Sequence, residues 1–120
     1  MLSRLNEYFQ RKEFACKCGC GFDAVDVELL GIITDVRHAL GKPITITSGC
    51  RCPEHNAKVG GASKSQHKLG KALDFQVKGM TPKEVQDFMD NFLPKDKYGL
   101  GYGKTFTHID VREKAARFDY

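Results

Sequence analysis

Residues 105–112 read Thr-Phe-Thr-His-Ile-Asp-Val-Arg, and residues 71–77 read Lys-Ala-Leu-Asp-Phe-Gln-Val. Both stretches alternate. Successive side chains of a strand point to opposite faces, so Ile109 and Val111 share one face while Phe106, His108, Asp110 and Arg112 take the other. Likewise Leu73, Phe75 and Val77 oppose Ala72, Asp74 and Gln76. Residues 43–47 repeat the pattern, with Ile44 and Ile46 against Thr45 and Thr47. Three strands with one apolar face each need a cover on that side. Their other faces then collect Thr45, Thr47, Asp74, Gln76, His108, Asp110 and Arg112, the floor of a polar cleft.

The cover is also written in the chain. From Val25 to Leu40 the apolar residues recur at helical spacing, and Gly41 followed by Pro43 is a stop signal. Thr81-Pro82-Lys83-Glu84 is a capping box with proline in the first turn, which predicts a second helix to about Leu93. Pro53 is placed to open a short helix ending at Gly60-Gly61; residues 61–70 read as a loop and 98–103 as a glycine-rich strand. Tyr8, Phe9, Phe14 and Phe22 are expected in the core. The fold class expected is α+β: one small domain over residues 1–120, an antiparallel sheet with helices on one face and a polar cleft on the other.

Composition sets the outer bounds. A chain of 120 residues with 41% hydrophobic and 28% charged residues fits one soluble domain. No run approaches 18 apolar residues, so no membrane insertion is expected. Met1 to Glu13 is charged and has no apolar segment of the kind a secretory signal needs, which predicts a cytoplasmic protein. The net charge of +4 comes from scattered basic residues, without the clustered patch that a nucleic-acid partner calls for.

The chemistry concentrates in Ser65-Gln-His67-Lys-Leu-Gly-Lys-Ala-Leu-Asp74 and in His108. Two imidazoles and a carboxylate are a sufficient protein set for a catalytic zinc ion, with the fourth position left to water.

These residues resemble the zinc D-Ala-D-Ala peptidases, peptidase family M15. The likeness rests on Ser65-x-His67-x-x-Gly70-x-Ala72-x-Asp74 with the later His108. It extends over Gly41-Lys42-Pro43-Ile44, Ser48-Gly49-x-Arg51, Glu54-His55-Asn56, Gly60-Gly61 and Thr107-His108-Ile109-Asp110-Val111-Arg112. It spans about residues 9–118 and is greatest to the short phage and prophage branch. The resemblance implies a Hedgehog/DD-peptidase-like fold and one catalytic Zn2+ on His67, Asp74 and His108. Arg51 then steadies the substrate, through its carboxylate or its scissile carbonyl, and Ser65 contacts the peptide. Tyr102, beside the glycine-rich strand, is a further candidate for substrate contact.

The activity implied is hydrolysis of peptide bonds in peptidoglycan stem peptides, by a D-Ala-D-Ala carboxypeptidase or an endolysin-type endopeptidase, with zinc activating the attacking water. The partners expected are peptidoglycan peptides, with no nucleic acid, and the protein acts as a monomer. Its route to the wall would be a phage lysis pore or carriage in a virion. Many members of the family place Glu or Asp three residues before the last histidine as general base; here that residue is Thr105. Asp110, about 6–7 Å along the same strand face from His108, is the carboxylate that substitutes. Asp110 could instead orient His108 or pair with Arg112. Thr105 also favours an alternative, a non-catalytic zinc-containing module for binding wall or protein on the same fold, as Hedgehog signalling domains illustrate. The five cysteines, at 16, 18, 20, 50 and 52, leave three states open: a second, thiolate-held zinc, a disulfide between the two groups, or reduced thiols.

Overall fold

The computed structural model of the chain describes residues 9, 13, 26–49 and 71–119. Two helices, α1 (Val27–Leu40) and α2 (Pro82–Phe92), accompany five strands: β1 (Ile44–Ser48), β2 (Ala72–Val77), β3 (Gly99–Tyr102), β4 (Thr107–Asp110) and β5 (Ala116–Asp119). The expected short helix after Pro53 and the cysteines lie outside the described residues.

α1 begins two residues later than the apolar spacing suggests, because Asp26 caps it. The Asp26 carboxylate accepts from the backbone N–H of Glu28 and Leu29, satisfying donors that the first turn leaves open. Gly41 ends the helix in the left-handed region at φ 62°, which costs a residue without a Cβ little. At α2 the capping box forms as read. Thr81 Oγ1 accepts from Glu84 N, and Thr81 N donates to the Glu84 carboxylate. Thr81→Ala removes that cap and is expected to lower stability by about 1 kcal/mol, a fall in Tm of about 4 °C. Thermal unfolding followed by circular dichroism checks it; an unchanged Tm would show that the cap adds nothing.

The sheet order is β1-β2-β4-β3-β5. The pairs β1–β2, β2–β4 and β3–β4 are antiparallel, whereas β3–β5 is parallel. The wholly antiparallel sheet expected from the sequence is therefore corrected to a mixed one. The reason is connectivity: the chain reverses after β3 and again after β4, so β5 runs in the direction of β3, on its outer edge. The crossing is pinned at Tyr98, a non-glycine residue at φ 71°. Its N–H donates to Arg112 O, its carbonyl accepts from Ala116 N and from the Arg117 guanidinium, and its hydroxyl donates to Glu28 at the start of α1.

One apolar cluster joins Leu29, Ile33 and Val36 of α1 with Val85 and Met89 of α2, and both with Ile46, Leu73, Phe75, Leu100 and Ile109 of the sheet. Phe9 is buried in it, as expected. Gln86 is the polar member of this side. Its amide donates to the carbonyls of Gly103 and Phe106, tying the turn between β3 and β4 to α2. With the helices covering the Leu73, Leu100 and Ile109 side, the alternation turns Asp74, His108 and Asp110 to the other.

Candidate active site

Strand register places the key residues side by side. Asp74 in β2 sits opposite His108 in β4, and Ala72 opposite Asp110. Beyond β4, His108 sits opposite Gly101 and Asp110 opposite Gly99. Across β3, Gly101 faces Phe118 of β5. One row thus reads Asp74, His108, Gly101, Phe118.

His108 is held from both sides. Its Nδ1 lies 2.9 Å from Asp74 Oδ1 and its Nε2 lies 2.8 Å from Asp110 Oδ2. Asp110 is itself gripped by Arg112: Nε donates to Oδ1 at 2.7 Å, a terminal guanidinium nitrogen donates to Oδ2 at 2.6 Å, and the Arg112 backbone N–H reaches Oδ1 at 3.2 Å. Such a two-pronged guanidinium–carboxylate contact fixes geometry as well as charge. Asp74, His108 and Asp110 are 6%, 4% and 1% exposed, so they are buried rather than open to solvent as the alternation alone suggested. A separate pocket of about 220 Å3 lies at the other end of β2 and β4, lined by Phe75, Gln76, Val85, Thr105 and Phe106 among others; it contains none of the three.

The electrostatics follow from this burial and pairing. Burial works against a charged imidazole, but hydrogen bonds to Asp110 and Asp74 outweigh it and raise the His108 pKa above the usual histidine value. Burial alone would push the Asp110 carboxyl up. The hydrogen bonds from His108 and Arg112 overcome this and hold it well below the usual carboxylate range. The two-pronged Arg112 contact favours the Asp110 anion, and a carboxylate so held favours a proton on the Nε2 it faces. The other nitrogen, Nδ1, then points at a second carboxylate. A lone pair facing Asp74 at 2.9 Å is repulsive unless a proton or a cation lies between them.

That donor chemistry fits zinc. A carboxylate oxygen and an imidazole nitrogen that face each other are two donors of the kind zinc takes. With an ion on Nδ1, Asp110 on the remote ring nitrogen would be the carboxylate that orients the metal-binding histidine. Among the described residues no group of three or more His, Cys, Asp and Glu is arranged to hold a metal. Asp74 and His108 supply two donors, and His67, the third expected ligand, lies outside the described residues, as do Arg51 and Ser65.

Tyr102 is not brought to this group. It alternates with Gly101 onto the helix side, and its hydroxyl donates to Asp90 of α2 at 2.8 Å. Burial and that carboxylate push its pKa up to about 12. Thr105 is exposed, and its carbonyl accepts from the Gln76 amide.

Three residues of the site escaped the sequence reading. A Cβ at Gly99 would run into the Asp110 carboxylate, so a glycine there makes room for it. Gly101, with no side chain, stands between Phe118 and His108 in the register. The Phe118 ring centroid is 5.4 Å from that of His108 and also 5.4 Å from the Arg112 guanidinium carbon. The signal was the alternation of glycine in Gly99-Leu100-Gly101 and of Ala116 and Phe118 with charged residues.

Comparison with known proteins bears on the same residues. Zinc D-Ala-D-Ala carboxypeptidase of Streptomyces albus G is 52% identical to the chain over 40 residues. That stretch is 32% of this chain and only 16% of the relative. A family model described as Peptidase M15 matches residues 7–110, a span that takes in Asp74, His108 and Asp110. Because that match covers most of the chain and all three residues of the buried array, the chain belongs to the peptidase M15 family.

Proposed function

We propose that the protein is a zinc-dependent peptidase acting on peptidoglycan stem peptides, as a D-Ala-D-Ala carboxypeptidase or an endolysin-type endopeptidase. The observation that carries this reading is the His108 imidazole, with Nε2 locked to Asp110 and Nδ1 aimed at Asp74. Family membership and the name of the Streptomyces relative support it.

In this reading Asp74, His108 and His67 hold the ion. When bound, zinc supplies Lewis acidity for the peptide carbonyl and for water. The chain's own residues do the rest. Asp74 contributes negative charge. His108 contributes a neutral nitrogen, oriented by Asp110. Arg112 keeps Asp110 ionised, and Arg51 binds the carboxylate or carbonyl of the peptide. We assign Asp110 to orienting His108 rather than to the general-base role expected from the sequence, since both of its oxygens are already taken by His108 and Arg112.

A second reading keeps the ion without hydrolysis, as a wall- or protein-binding module. Thr105 in the usual base position and the full engagement of Asp110 favour it. Mass spectrometry of purified peptidoglycan, incubated with the protein with and without a chelator, separates the two. The expected result is chelator-sensitive loss of a terminal alanine or cleavage of cross-links. Unchanged Gram-negative and Gram-positive walls, with folded protein that takes up zinc, would leave the binding module.

A further inference from the structure

Arg112 and strand β5 lie beyond residues 7–110, the span matched by the family model, yet they complete the surroundings of His108. We infer that Phe118 of β5 is a positioning residue for the His108–Asp110 hydrogen bond, laying its ring across Gly101 against both the imidazole and the Arg112 guanidinium. The part of this inference that concerns zinc rests on the reading above.

The register explains how a residue two strands away reaches the site. Phe118 pairs with Gly101, and Gly101 pairs with His108. Adjacent strands are about 4.8 Å apart, so a side chain at position 101 would occupy the space between the two rings. Glycine leaves it, and Phe118 fills it with its ring tilted 58° to the imidazole. The same ring lies beside the Arg112 guanidinium, an arrangement of cation and aromatic ring that attracts. Arg112 is 36% exposed in its side chain while Asp110 is fully buried. The guanidinium is thus the solvent-facing end of the array, and Phe118 is the apolar wall beside it. Excluding water there lowers the local dielectric and strengthens the hydrogen bonds that hold Asp110 on Nε2. The next residues, Arg117 and Asp119, alternate to the helix side, where Arg117 lies 3.7 Å from Asp90, so β5 is anchored independently of Phe118.

The test reads the hydrogen bond and the ion separately. The His108 Nε2–H proton is observed by NMR, assigned by its disappearance in His108→Gln, and its exchange with water is measured. Zinc affinity is measured by competition with a chromogenic chelator. Phe118→Ala is expected to speed exchange of that proton at least about tenfold and to weaken zinc binding about tenfold, the lower end for residues that support a ligand from behind. Phe118→Leu, which keeps apolar bulk but loses the ring contacts, stands in if Phe118→Ala folds poorly and is expected to show both defects in weaker form; wild-type values in it would overturn the inference as well. Phe118→Tyr is expected to restore both. Folded Phe118→Ala protein with wild-type proton exchange and wild-type zinc affinity would overturn the inference. Ring-dependent proton exchange in a wild-type protein that takes up no zinc would overturn the metal reading and support the positioning role.

Discussion

His108→Ala is expected to abolish chelator-sensitive hydrolysis, lowering kcat/KM by at least about 10³-fold, the scale seen when one member of a catalytic unit is removed. The size follows from what the imidazole joins. It contacts both Asp74 and Asp110, at 2.9 and 2.8 Å. Without it a nitrogen donor is lost, and the Asp110–Arg112 pair has nothing left to orient. A stability readout accompanies the activity. A ligand at 100 times its Kd stabilises a folded protein by about 2.7 kcal/mol, so chelation is expected to lower the wild-type Tm by roughly 10 °C. The variant's Tm should not respond to chelator. Asp74→Asn should behave alike, because it keeps the shape and removes the charge facing Nδ1. A His108→Ala protein with chelator-sensitive activity would overturn the zinc assignment.

Much of the fold was legible because the deciding signals are local. Asp26 and Gly41 bracket α1, Thr81 and Glu84 start α2, and the period of two in β2 and β4 picks out Leu73, Phe75, Val77 and Ile109 as the core face. What was not legible depends on pairing. β5 is four residues, Ala-Arg-Phe-Asp, with no apolar run. Nothing in it announces a strand until β3 offers an edge, and its parallel sense comes only from the two reversals before it. The irregularity between Ile46 and Ser48, where the β1–β2 register shifts, has no signature in Ile-Thr-Ile-Thr-Ser either.

The site divides in the same way. That Asp74, His108 and Asp110 share a face follows from alternation, and register then sets Asp74 directly beside His108. The role of Asp110 could not be read from spacing, because a carboxylate two residues along a strand can reach a water or the neighbouring ring. The Arg112 fork, which engages both oxygens, is the feature behind our assignment of Asp110 to the ring. Tyr102 is close in sequence to the glycines of β3. One residue of alternation puts it on the helix side with Asp90 instead. Phe118 was invisible for a further reason: it reaches His108 across Gly101 of an intervening strand, a relation that only the register shows.

Gly99→Ala tests that last logic where its consequence is largest. By intrinsic preference the substitution should help, since alanine loses less backbone entropy on folding than glycine, and no unusual φ is involved at position 99. The structure requires the opposite sign. A Cβ there meets the Asp110 carboxylate carbon and both oxygens, and that carboxylate cannot move aside freely. It is fully buried and tied to His108 Nε2 and to three N–H groups of Arg112. Overpacking a rigid site costs about 1–3 kcal/mol, and the displaced atoms carry a buried charge, whose loss of partners adds to the penalty. We therefore expect Tm to fall by roughly 5–10 °C and zinc affinity by about 10- to 100-fold, as when a carboxylate behind a metal-binding histidine is disturbed. Gly79→Ala is the control. It lies at φ 84° in the turn between β2 and α2, with nothing within 4 Å of the position a Cβ would take, and should cost stability through backbone strain alone while leaving zinc affinity unchanged. If Gly99→Ala matched the wild type in both Tm and zinc affinity, the carboxylate would not be held where β3 and β4 place it, and Asp110 would again be free to serve as the base.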